Sequence, residues 1–153
     1  MHLAELNIAT LKYPLDDPRV APFVDALDRV NTIAERLDGF VWRLKEESGN
    51  ATDIRAFDDP MTIVNLSVWR DAEALENFVW KTVHKQFYAR RAEWFSIMDK
   101  QHFVLWHVEE GHRPDMQEAK QRLEALNKHG DSDHAFGWSH LPEVKLWREA
   151  RCA

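Results

Sequence analysis

His84, Tyr88 and Arg91 stand four and three residues apart in this 153-residue chain. On an α-helix that spacing puts all three on one face. Phe87 and Phe95 flank them. An imidazole, a phenol and a guanidinium beside large rings suit an aromatic or acidic small molecule. The imidazole can serve as a base or as an iron ligand, and the phenol as a proton donor. The plainer alternative makes Arg91 one half of an ion pair and His84 a half-buried structural residue.

A second polar group lies on the first predicted strand. Glu5 and Asn7 share a face with Ala9 and Leu11. A buried acid or amide is costly without partners. If that face meets helices, Asn7 points into a pocket; if it meets a partner chain, the pair is an interface network. Asn65 and Ser67 are similar polar residues on a later strand whose other face is Val64, Leu66 and Val68. They are placed either near Asn7 or in cross-strand hydrogen bonds. His107, next to Trp106, is a further candidate for lining a pocket or an interface.

The eight His do not form a metal site. His102 and His107 point to opposite faces of a strand, no HExxH is present, and Asp58–Asp59 is loop chemistry. Phosphate-binding glycine loops and the GxSxG elbow are also absent. Cys152 has no activating neighbour beyond Arg151 and is not read as a nucleophile.

The elements that must position these residues emerge from periodicity and turn chemistry. Residues 3–13 read as a strand, and residues 20–38 as an amphipathic helix ended by Gly39. Residues 40–45 form a strand with Phe40, Trp42 and Leu44 on one face. A polar connection, 46–60, leads to the β-branched strand 61–69. Asp71 caps a long helical region, 72–99, with a kink or break near Thr82. Residues 102–109 are a strand. Asp115 with Glu118 starts a further helix, which Gly130 ends. Residues 135–140 read as a fifth short strand. The result is an α+β, split βαβ, ferredoxin-like domain over residues 1–140, with an added α-β unit and a tail at 141–153.

The first strand is apolar on both faces. If helices cover one, a second copy of the sheet is the simplest cover for the other, so the chain is expected to form a homodimer through its sheet face. Seven Trp and eight Phe must be placed in a core, an interface or a pocket. A net charge of −6 argues against a nucleic-acid partner. No apolar run is long enough for a membrane span, a leader is not evident, and a single Cys fits a reducing cytoplasm.

The strings LSVWRDAEAL (66–75), FVWKTVHKQFYARRAEWF (78–95), GHRPDMQEAKQRLEAL (111–126) and HAFGW (134–138) carry a resemblance. Together they resemble an uncharacterised bacterial domain family of the dimeric α/β-barrel superfamily, relatives of antibiotic-biosynthesis and haem-degrading monooxygenases. The resemblance implies a small-molecule pocket between sheet and helices. Haem-degrading members use an Asn on the first strand, a Trp on the second helix and a His some ten residues beyond it. Asn7 and Trp80 match the first two; Tyr88 stands near the third position, with His84 one turn earlier. Tyr also binds haem iron.

The expected function is therefore a monooxygenase-like enzyme acting on an aromatic or polycyclic substrate. His84 and Tyr88 are its expected catalytic pair, with Asn7, Trp80, Phe87, Arg91 and His107 lining the site. In cofactor-free members of such a class the protein supplies proton transfer and desolvation. The alternatives are a haem protein with His84 or Tyr88 as iron ligand, packed by Trp80 and Phe87, and a non-catalytic ligand carrier or accessory subunit.

Overall fold

The computed structural model describes residues 1–45, 61–82, 84–96 and 101–142. Its strands are β1 (His2–Thr10), β2 (Phe40–Arg43), β3 (Thr62–Trp69) and β4 (Phe103–Val108). Its helices are α1 (Ala21–Arg36), α2 (Ala72–Lys81), α3 (His84–Ala89), α4 (Arg91–Trp94) and α5 (Met116–His129). The connection 46–60 and the tail beyond 142, with Cys152, lie outside the described residues. The described strands form one antiparallel sheet in the order β2-β3-β1-β4, so β1 is central. The α+β class is as expected, and this order is compatible with a ferredoxin-like arrangement.

Period-two alternation sends the two sets of strand side chains to different layers. Ala4, Leu6, Ile8, Val64, Leu66, Val68, Val104 and Trp106 form one core cluster with Ala119, Leu123 and Leu126 of α5. Leu3, Trp69 and Leu105 face the other way, into a second cluster with Ala34 of α1 and with Leu75 and Phe78 of α2. Helices therefore lie on both faces of the sheet. The premise that led to a partner sheet, one face left uncovered by helices, does not hold: Leu6, Leu66 and Trp106 are fully buried within the single chain.

Caps fix the helix starts. Asp115 Oδ1 accepts from Glu118 N at 2.8 Å, and Asp71 Oδ1 accepts from Ala74 N at 2.9 Å. Glu118 also accepts from Trp106 Nε1 at 2.9 Å, which ties the first turn of α5 to β4. Gly130, at φ +75°, ends α5, and its N–H donates to Leu126 O at 2.9 Å.

Two local expectations are corrected and one is extended. Phe40 and Trp42 do not share a face, because a register shift between them turns Phe40 toward Trp69 and Trp42 toward Val68. The long helix divides at Thr82 as expected and again at Arg90. Thr82 Oγ1 donates to Phe78 O at 2.6 Å and accepts from His84 N at 3.2 Å, so one residue closes α2 and holds the first amide of α3. Residues 135–140 are not a strand: only Phe136 pairs with Leu105, and Trp138–His140 is a 3-10 turn. The reason is local: Phe136 exchanges both bonds with Leu105, but at the next ladder positions Ser132 Oγ takes the His134 N–H at 3.2 Å and Trp138 O accepts from Leu141 N at 3.0 Å.

Candidate functional site

On the helix-covered face that carries Leu3 and Trp69, the apolar core is interrupted. Along β1 that face reads Leu3, Glu5, Asn7, Ala9, and along β3 it reads Trp69, Ser67, Asn65, Ile63. Leu3 and Trp69 belong to the second core cluster. Beyond the other end, Leu11, Val20 and Trp94 form a third, with Phe23, Ile63 and Phe87 packed against it. The interval between the two clusters is polar: Glu5 opposes Ser67, and Asn7 opposes Asn65. On the β4 side Phe103 opposes Asn7, and its ring stacks on Trp138 at 5.4 Å and 19°.

Glu5 is the least ordinary residue in this interval. It is only 4% exposed. Its Oε1 accepts from Ser67 Oγ at 2.8 Å, and its Oε2 accepts from Asn7 Nδ2 at 3.0 Å. Ser67 Oγ in turn accepts from Trp69 Nε1 at 3.0 Å. Burial disfavours the charged carboxylate more than these two bonds favour it, and the pKa is pushed up to about 7. The polar strip then opens outward: Glu5 and Ser67 are buried, Asn7 is half-buried and Asn65 is exposed. Asn65 reaches solvent where β3 runs past the end of β2, whose ladder pairing among the described residues stops at Ser67, so the strip opens at the sheet edge.

Short α3 connects the margins of this interval. At its start the His84 ring lies 4.9 Å from Phe78, which stacks on Trp69 at 5.2 Å. One turn on, Phe87 lies 6.0 Å from Trp94 of the third cluster, with the Arg29 guanidinium 5.7 Å from its ring. His84 Nδ1 is 3.2 Å from Val79 O, one of the carbonyls left over at the end of α2. That contact assigns the proton to Nδ1 in the neutral ring and leaves the lone pair on Nε2. Burial lowers the His84 pKa, and the Val79 carbonyl partly opposes it.

The expected residues are thus partly gathered and partly dispersed. His84 and Tyr88 stack at 6.5 Å, and Trp80 meets Tyr88 edge-on at 5.0 Å. Trp80 is buried, and its Nε1 has no acceptor among the described residues. Arg91 is exposed; its guanidinium sits 4.0 Å over the Tyr88 ring and donates to Tyr88 O at 2.8 Å, which leaves it on the outer surface of α3. Phe87 turns away from Trp80 into the third cluster. His107 is exposed and packs 5.3 Å from Phe136; Trp106, its neighbour in sequence, points to the opposite face. Asn7 lies on the helix side, the alternative that put it in a pocket. Glu5, the acid of the network, was not singled out for chemistry by its sequence. The available signal was a carboxylate flanked by Leu and Ala on a strand otherwise apolar on both faces.

The residue set does not fit haem well. His84 has the free nitrogen an iron ligand needs. The two rings expected to pack the macrocycle are parted, however, Trp80 resting on Tyr88 and Phe87 on Trp94. Among the described residues no group of three His, Cys, Asp or Glu is placed to hold a metal ion. None of the described helices is long and apolar enough to cross a membrane.

Fold and site together define an α+β protein with an ionisable network between its sheet and its helices. The chain belongs to a family described as a domain of unknown function, DUF3291, whose model matches residues 2–152. No curated protein and no solved structure matches it.

Proposed function

We propose that this chain is a small-molecule-binding enzyme that moves a proton between Glu5 and an aromatic or polycyclic substrate held in the polar interval. The reading follows the cofactor-free side of the dimeric α/β-barrel monooxygenases, to which the sequence strings bear their resemblance. The observation that carries it is the Glu5 carboxyl, buried, bonded to Ser67 and Asn7, and with a pKa of about 7. A base works best when its pKa lies near the operating pH. The ionised Glu5 takes a proton from an acidic O–H or C–H of the substrate and becomes the neutral acid that its surroundings favour. The conjugate base of the substrate is then the electron-rich species that can react with oxygen. His84, neutral at pH 7 with its Nε2 lone pair free, is a second acceptor at the aromatic end of the interval.

The test is oxygen uptake with a panel of hydroxylated naphthalenes and anthracenes, using the intact chain and its Glu5→Gln and His84→Ala variants. Uptake that is saturable and lost in Glu5→Gln, with the fold retained, supports the reading. Unchanged uptake in Glu5→Gln removes Glu5 from the chemistry. Tight binding with no uptake by any of the proteins would favour a carrier over an enzyme.

A further inference from the structure

The amides of Asn7 and Asn65 oppose one another on adjacent antiparallel strands and share a face. Side chains so placed have Cβ atoms about 5 Å apart. They do not bond to each other. Asn7 turns its Nδ2 to Glu5, which leaves its carbonyl oxygen directed away from the carboxylate. Asn65 is exposed and makes no side-chain hydrogen bond to a described residue. The outer part of the strip therefore offers the Asn7 carbonyl as an acceptor beside the exposed Asn65 amide, whose Nδ2 can donate. One amide side chain reads a planar donor–acceptor edge when it meets adenine in DNA; here two opposed amides would supply the two bonds.

Two further observations narrow the ligand. The stacked Phe103–Trp138 pair stands beside Asn7 in the register and gives a flat aromatic wall. Among the described residues no Lys or Arg side chain is hydrogen-bonded to the side chains of Glu5, Asn7 or Ser67, and the Arg29 guanidinium at the margin lies against the Phe87 ring at 5.7 Å. Arg43, opposite Ser67, is bound to Glu35 at 2.7 Å, and Arg91 is held at Tyr88. An anionic ligand would meet the Glu5 carboxyl with no cation bonded to it, since its partners are the neutral Ser67 and Asn7.

We propose that the substrate or ligand is a neutral planar ring system with an N–H next to a C=O, a lactam edge, whose N–H donates to Asn7 Oδ1 and whose carbonyl accepts from Asn65 Nδ2. The inference rests on the interval being the binding site, as read above, and is independent of whether Glu5 moves a proton.

Equilibrium binding to the intact chain, followed by calorimetry, tests it with three probes: 2-quinolone, 1-methyl-2-quinolone and quinoline-2-carboxylate. The expected order places 2-quinolone first. The N-methyl compound, which has no N–H, binds about tenfold more weakly, and the carboxylate more weakly still. Asn65→Ala, at an exposed position, lowers 2-quinolone affinity about fivefold while leaving the urea midpoint unchanged. Equal binding of the N-methyl compound overturns the edge reading. Tightest binding of the carboxylate overturns the charge argument, and no binding of any probe overturns the ligand class. If the order holds while Glu5→Gln keeps its oxygen uptake, the proton-transfer reading fails and this one stands. If Glu5-dependent uptake occurs without the order, the reverse is true.

Discussion

Replacing Glu5 by Gln should make the protein more stable at alkaline pH. The folded state raises the Glu5 carboxyl from its ordinary 4.5 to about 7, first through burial, with the Ser67 and Asn7 bonds opposing. The folded chain thus holds this proton more tightly than the unfolded chain. The stability linked to the group is fully present below pH 4.5 and is lost as the pH rises through 7. At about 1.36 kcal/mol per tenfold change in proton affinity, the loss is about 3 kcal/mol, nearly complete by about pH 8. Gln mimics the neutral acid. Its oxygen accepts from Ser67, and its amide donates to Asn7 once the Asn7 side chain turns over. Urea unfolding of both proteins at pH 4 and pH 8 isolates the effect, because His84 and every other titrating group are common to both. At a slope of about 2 kcal/mol per molar urea, the difference between the two midpoints should change by about 1.5 M between the two pH values, with Glu5→Gln the more stable at pH 8. A difference that is the same at both pH values, or a Gln variant destabilised at pH 8, would refute the reasoning.

Other consequences are local. The His84 imidazole should titrate below its ordinary 6.5 in an NMR pH series, because burial disfavours its charge; its contribution to stability is full above 6.5 and falls as the pH drops below it. A midpoint above 6.5 would show the ring to be solvated or facing an acid. Gly39→Ala should cost about 2–4 kcal/mol in urea unfolding, since Gly39 sits at φ +90° and an added Cβ would collide with that of Ala74. Asp115→Ala should cost about 1 kcal/mol through the lost α5 cap, and Asp115→Asn should restore most of it.

The elements most legible in the sequence are those set by local chemistry. β1 and β3 announce themselves by alternation, α5 by Asp115 and Gly130, and the end of α2 by Thr82. What escaped depends on tertiary placement. The shift between Phe40 and Trp42 inserts a residue that periodicity cannot see. Phe136 looks like part of a strand until Ser132 and the turn at Trp138 claim the backbone around it. The face that holds Glu5 and Asn7 is assigned only once α1 and α2 are laid on it, so the sequence offers Asn7 as a pocket residue only conditionally. His84 and Tyr88 stay together because they are one turn apart on α3. Phe87 leaves them because its position on that turn faces Trp94, and the break at Arg90 leaves Arg91 outside.

The central claim is that Glu5 exchanges its proton near neutrality inside the fold. Carbon-13 NMR of the glutamate side-chain carboxyls over pH 4 to 9 tests it directly, with the Glu5 signal identified by its loss in Glu5→Gln. The account predicts a midpoint near 7 for that one carboxyl. A midpoint near the ordinary 4.5 would show a solvated carboxylate, and the proposed proton transfer would lose its basis.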